Sequence, residues 1–410
     1  MVNSPGNRPA TERRRICFVV SSPLTVRAFL MPHIRELVPH MSISLIGNGV
    51  QRELFTELDP LGVETIDVAI ARRPNPIADL RVLQRLHHLI RARGFDAVLS
   101  VTPKAGLLGM LAAKRAGVTV RVHWFTGQVW ATRTGLTRRV LRALDRVTCR
   151  CATHPLADSM SQRVFLEQEN VADSGRVGVL CDGSISGVDT DRFRPDASRR
   201  AEFRTKLGIP AAAVVFLFLG RVTREKGIPE LAEAFARLAK TLTDVHLLVV
   251  GPHEDRDCVE RLARLQSASH RVHLLGPTHE PEIPLAAADV LVLPSWREGF
   301  GTTVLEAAAS EVPTIATRIY GVTDAVAENS TGLLVPVGDI EALSMSMRAI
   351  ATEPCLRNDL ARAARARVLE RFQTARLTAA LRQHLQQAMQ VHACHPGPQI
   401  HRTGGEIRHP

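Results

Sequence analysis

The chain has 410 residues, 45% of them hydrophobic, 23% charged and 4% aromatic. That composition excludes wholesale disorder or a fibrous repeat, and it leaves little for stacking on single-stranded nucleic acid. The 52 Lys and Arg against 41 Asp and Glu give +11, which suits nucleic acid, an anionic membrane surface or a phosphorylated substrate.

The surplus is local. Residues 101–150 hold ten basic residues and a single acid, Asp145. Seven cysteines form no C-x-x-C and are odd in number, as expected of reduced thiols. Arg13-Arg14-Arg15 before ICFVVSSPL imitates a signal sequence, but the apolar run is five residues long and ends at Ser21-Ser22-Pro23. It reads as a first buried strand, 16–22. Further strands are predicted at 42–48, 64–70, 96–102, 119–125 and 176–182. Helical periodicity lies between them, as in 77–93, where Leu80, Leu83, Leu86 and Ile90 share a face. The second half repeats the rhythm at 214–220, 245–251, 272–276, 289–295, 313–318 and 332–338.

Continuously apolar strands alternating with helices imply parallel sheets covered on both faces. The expected architecture is α/β: two Rossmann-like, doubly wound domains facing a cleft, with ligands at the carboxyl ends of the strands. GSISGVDTDRFRPDAS (183–198) is the natural junction. Expected bounds are a first domain over 1–185, a linker over 186–198, a second domain over 199–375, a helix over 376–390 and a disordered tail over 391–410. No run approaches the ~18 apolar residues that span a bilayer.

Two stretches carry chemistry. After the strand at 214–220 comes GRVTREKG (220–227), where Arg221 offers a planar fork and Lys226 a point charge to a diphosphate before a helix start. It is neither G-x-G-x-x-G nor a Walker A loop. In LVLPSWREGFGTTVLEAAASEVPTIATR (291–318), Glu298 and Glu306 stand eight apart around a glycine turn. Gly299 and Gly301 let the backbone approach a ligand, and amides near Thr302 and Thr303 can receive phosphate oxygens. A carboxylate can accept two vicinal hydroxyls of a ribose or hexose. The D-x-D strings at 189–191 and 255–257 are chance matches, and no metal site is expected. In the basic stretch, Arg139, Arg142, Arg146 and Arg150 fall on one helical face with Val140, Leu144 and Val147 largely opposite. That face suits anionic lipid headgroups or plain solvation.

With TGLLVPVGD (331–339), these motifs resemble the retaining GT-B glycosyltransferases of family GT4. FLMPHIREL (29–37), SVTPKAGLLGMLAAKRAGV (100–118), VHWFTGQVW (122–130) and GSISGVDTDRF (183–193) are similar to bacterial transferases of capsule, O-antigen and exopolysaccharide assembly. The resemblance implies a GT-B fold and transfer from a nucleotide-sugar donor to a polyprenyl-diphosphate-linked sugar. The donor would be UDP-linked, with an N-acetylhexosamine among the candidates. The enzyme would be cytoplasmic and peripheral on the inner face of the plasma membrane, with no cofactor, metal or nucleic-acid partner.

By the same resemblance, Arg221 and Lys226 neutralise the donor diphosphate and Glu306 binds the ribose. Glu298 lies near the transferred sugar, as nucleophile or positioning group. Gly299, Phe300, Gly301, Thr302 and Thr303 form the donor turn, and Thr278 lies near the base. His123 stands at the sugar and acceptor, Lys104 at the acceptor diphosphate, and Arg139, Arg142 and Arg146 on the acceptor side. One loop departs from the pattern: Pro23, where relatives carry glycines after the first strand, donates no N–H. The rival readings are a UDP-sugar 2-epimerase on the same architecture, and a non-enzymatic basic membrane or nucleic-acid binder.

Overall fold

The computed structural model describes residues 13–71 and 75–394, with side chains to residue 391. The outer part of the expected tail, 395–410, lies outside the described residues. A first parallel sheet is built from β1 (Arg15–Val20), β2 (Ser42–Gly47), β3 (Glu64–Asp67), β4 (Ala97–Val101), β5 (Val120–Phe125), β6 (His154–Ala157) and β7 (Gly178–Val179), in the order 3-2-1-4-5-6-7. A second comprises β8 (Val214–Leu219), β9 (Val245–Val250), β10 (Val272–Leu275), β11 (Val290–Leu293), β12 (Thr314–Thr317) and β13 (Gly332–Val335), in the order 10-9-8-11-12-13.

The apolar runs are continuous because both faces of each sheet are covered. In β1, Ile16, Phe18 and Val20 join one core while Cys17 and Val19 join another. In β8, Val215 and Leu217 face one helical layer, and Val214, Phe216 and Phe218 the other. One strand was not predicted. β6 is four residues long and contains Pro155, which argues against an interior strand. Its outer neighbour β7 pairs only with Leu156 and Ala157, so the proline stands outside that ladder.

The chain crosses between the halves twice. At the first crossing Ile185 and Val188 are buried; at the second the helix Pro354–Arg371 ends and the helix Thr374–Cys394 begins. The crossings lie side by side, since the Val188 N–H donates to the Phe372 carbonyl (2.9 Å) and the Thr374 N–H to the Val188 carbonyl (3.0 Å). The last helix then returns to the first sheet, where Leu377, Leu381 and Leu385 complete the core around Phe18 and Trp124.

Candidate active site

Both sheets point the carboxyl ends of their central strands at the cleft between them. After β8, Arg224–Lys226 form a single 3₁₀ turn closed by Gly227 at φ +73°. A side chain at Gly227 would place its Cβ 2.0 Å from the Pro294 carbonyl oxygen, so only glycine lets this loop lie against the end of β11. That approach brings the two motifs together. Lys226 Nζ donates to Glu298 Oε1 at 2.5 Å, and Ser295 Oγ donates to the same oxygen at 2.8 Å. The Trp296 N–H donates to the Glu225 carbonyl (2.9 Å) and Arg297 to the Glu225 carboxylate (3.0 Å), clamping loop to loop. Arg221 leaves this constellation: it is exposed and donates to Glu254 at 2.8 Å.

The turn Glu298–Gly301 leads into the helix Thr302–Ala309, whose first amides have no side-chain cap and lie beside half-buried Thr302 and Thr303. Gly299 lies close against the first half. A Cβ there would sit 2.6 Å from the Thr126 carbonyl oxygen and 3.0 Å from Asp158 Oδ2. Phe300 is buried in the second core with its ring 5.6 Å from that of Phe372, and its ring edge also lies against Gly183 of the first half. Glu306, in the second turn of the helix, has a carboxyl enclosed enough that desolvation pushes it from an ordinary 4.5 up to about 7; Glu282 adds to the rise and Arg192 opposes it. Arg192 also donates to Glu282 (2.8 Å) and to the His279 carbonyl (2.9 Å), which places the loop bearing exposed Thr278 near Glu306.

In the first half the expected residues are engaged by their neighbours. His123 is buried between Ser100, whose Oγ lies 2.9 Å from Nδ1, and Phe125, in edge contact at 4.4 Å. The ring also lies against Gly106, and burial pushes its pKa down to about 3, so it is neutral. Lys104 is paired with Asp79 at 2.6 Å. The first loop starts a helix at Pro23 directly, and Thr102 donates to Ser21 there (3.1 Å).

In the helix Gly135–Cys151, Arg142 is bound to Glu169 (2.9 Å) and Arg146 to the Asn170 carbonyl (2.6 Å), while Arg139 is exposed. The expected face is therefore corrected. Arg142 and Arg146 turn toward neighbouring protein, and Val140, Leu144 and Val147 turn outward. The D-x-D aspartates serve the backbone: Asp189 accepts from the amides of Asp191 and Arg192, and Asp255 caps the helix Arg256–Ala268.

Sequence reasoning missed the residues that join the halves. Asp158, after β6, is buried with Oδ1 unpartnered, and desolvation holds its carboxyl well above the ordinary range. Tyr320, the chain's single tyrosine, accepts from the Gln128 N–H (3.1 Å) and stacks on Phe165 at 4.5 Å. Ser161 donates to the Asp324 carboxylate and accepts from the Gly321 N–H (2.7 Å). A lone tyrosine in the segment after β12 was the available signal.

Two family models match. Residues 33–183 fit the glycosyl transferase 4-like domain, and residues 199–367 fit glycosyl transferases group 1. The chain is 30% identical over 296 residues to the capsular polysaccharide biosynthesis glycosyltransferase CapM of Staphylococcus aureus, covering 72% of this chain and 77% of that protein. It is 25% identical over 339 residues to the Escherichia coli UDP-Gal:alpha-D-GlcNAc-diphosphoundecaprenol alpha-1,3-galactosyltransferase, covering 76% and 86%. Among solved structures, Anabaena Alr3699/HepE in complex with UDP superposes with a TM-score of 0.74 at 20% identity, over 91% of this chain and all of that one. WaaG, a glycosyltransferase involved in lipopolysaccharide biosynthesis, gives 0.69 at 18% identity, over 90% and 99%.

Proposed function

Because the chain belongs to the group 1 glycosyl transferases and carries their two-domain GT-B fold, we propose that it moves a sugar from a UDP-linked donor to a polyprenyl-diphosphate-linked sugar at an anionic membrane face, in surface polysaccharide assembly. The transferase class follows from family membership. The donor and acceptor are supported by the E. coli relative, whose name specifies a UDP-sugar and a diphosphoundecaprenol acceptor.

The observation that carries the reading is the Lys226–Glu298 pair at the mouth of β8 and β11, next to the uncapped helix start at Thr302. A donor diphosphate would take Lys226 from Glu298 and lie across the exposed amides, where charge and helix dipole favour it. Arg221, released from Glu254, would add a second cation, and Glu306 would accept the ribose hydroxyls once ionised. Glu298, freed from Lys226 but held by Ser295, would then face the hydroxyls of the transferred sugar. Stabilising the departing nucleotide diphosphate by preorganised cations and dipoles is the main catalytic contribution. Closure about Gly299 and Tyr320 would exclude water that would otherwise hydrolyse the donor. Retention of configuration is consistent with same-face attack in which a donor phosphate oxygen takes the acceptor proton.

The test is a panel of UDP- and GDP-sugars with polyprenyl-diphosphate sugars, read by mass spectrometry, with Lys226→Ala as control. A glycosylated lipid whose formation falls at least ~100-fold in the variant supports the proposal. Interconversion of the free nucleotide sugar without an acceptor, or full activity of Lys226→Ala, overturns it.

A further inference from the structure

The helix Gly135–Cys151 is strongly amphipathic, and it is folded with its apolar side outward. Leu136 is 74% exposed and Val140 49%, and Leu144 and Val147 are each more than a third exposed. At 100° per residue these four positions form one continuous ridge. The side turned inward mixes polar anchors with Leu141, Cys149 and Cys151, which pack in the cores. Asp145 accepts from Trp130 Nε1 (2.7 Å), Arg138 and Arg142 share Glu169, and Thr148 and Cys149 are buried. Inward anchoring by these groups leaves the apolar ridge exposed, uncovered among the described residues.

We propose that this ridge inserts into the headgroup region of an anionic bilayer and docks the enzyme there. Charge selects that occupant. Exposed Arg139 and Arg150 flank the ridge on its own face, and Arg133 stands exposed one residue before the helix N-cap. Lys114 and Arg115 are exposed at the end of the packed neighbouring helix Pro103–Arg115. The single acid of residues 101–150, Asp145, is buried on the opposite side. A second copy of the same face would oppose cation to cation, whereas anionic headgroups meet the rim while acyl chains receive the leucines and valines.

The ridge also begins beside the cleft. Arg133 reaches Glu225 of the donor loop across it at 3.8 Å, three residues before Leu136. Docking through this helix therefore holds the cleft mouth at the membrane surface. This deepens the lipid-linked acceptor reading and rests on it, but the contact is apolar insertion rather than the Arg139–Arg142–Arg146 face, where Arg142 and Arg146 are half-buried and engaged by Glu169 and the Asn170 carbonyl.

The full-length enzyme is to be sedimented with vesicles of phosphatidylglycerol and phosphatidylethanolamine, as wild type, Leu136→Glu/Val140→Glu and Arg139→Ser/Arg150→Ser. Both pairs are exposed, so the fold should tolerate them. The proposal expects vesicle affinity to fall about tenfold or more in the glutamate variant, the scale of apolar side chains kept out of lipid. Leu136→Trp should shift its emission to the blue on binding. Transfer to a short-chain, water-soluble acceptor should stay at the wild-type rate in the glutamate variant. Unchanged vesicle binding by that variant, loss only in the arginine variant or at high salt, or a dimer that Leu136→Glu dissociates would each overturn insertion. Vesicle binding without any sugar transfer would instead defeat the transferase reading and leave the ridge standing.

Discussion

Replacing Glu306 with glutamine separates what the residue costs the fold from what it gives the ligand. Its carboxyl is held near 7 against an ordinary 4.5, chiefly because the site strips it of water. Below pH 4.5 the group is neutral in folded and unfolded chains alike. As pH rises from 4.5 to about 7 the unfolded chain ionises first, so the native state loses stability; above 7 the loss is complete and constant. At about 1.4 kcal/mol per pH unit the full loss is about 3 kcal/mol. Glu306→Gln never incurs it. The ligand-free variant should match wild type at pH 4.5 and exceed it by up to about 3 kcal/mol at pH 8, or roughly 6–12 °C in Tm for a domain of this size. Scanning calorimetry at half-unit pH steps measures the difference. Calorimetric titration with UDP at pH 8 should show the opposite, a loss of about 10–100-fold in affinity, because two hydroxyls lose an ionised acceptor. A stability difference flat across pH 4.5–8 would refute the desolvated carboxyl. Undiminished UDP affinity would refute its role toward the ribose.

Gly299→Ala sets a methyl 2.6 Å from the Thr126 carbonyl oxygen and must part the two halves at the donor turn. Turnover should fall roughly 100-fold, the scale of an ångström-sized misplacement, while near-ultraviolet circular dichroism stays native. Asp158→Asn keeps the shape of a carboxyl whose pKa burial raises well above the ordinary range. It should match wild type below the ordinary carboxylate range and exceed it increasingly as pH rises above 3.8, where the unfolded wild-type chain ionises first; urea titrations at pH 3 and pH 8 test the sign. Leu381→Ala empties a fully buried position in the first core from the last helix. It should cost about 2–5 kcal/mol by urea denaturation, and a smaller loss would mean the helix is loosely docked.

Much of this molecule was legible in its sequence because buried parallel strands are written as β-branched runs, and twelve of the thirteen strands among the described residues read that way. The thirteenth, His154–Ala157, did not, because Pro155 and its brevity mask the pattern. The meeting of Lys226 with Glu298 was implied by two motifs at strand ends but depends on Gly227 lying against Pro294, a contact only the fold reveals. The helix Gly135–Cys151 was misread for a different reason. Periodicity identifies two faces but not which one is inside. Here Trp130, Glu169 and Asn170, distant from most of the helix in sequence, anchor the polar face. Asp158 and Tyr320 went unnoticed because neither belongs to a local pattern; each matters only where the two sheets meet.

The paired crossings at Val188 and Phe372–Thr374 have a consequence for how such enzymes can be recombined. Because the final helix belongs to the first core, the first half is not a contiguous piece of chain: residues 13–185 alone lack Leu377, Leu381 and Leu385. A chimera that joins one protein's first half to another's second half at a single junction inherits a mismatched helix in its core. Exchanging 1–187 together with 373 onward, at two junctions lying side by side, carries each core over whole. Specificity for donor and acceptor can then be shuffled as an insertion of the second half into the first.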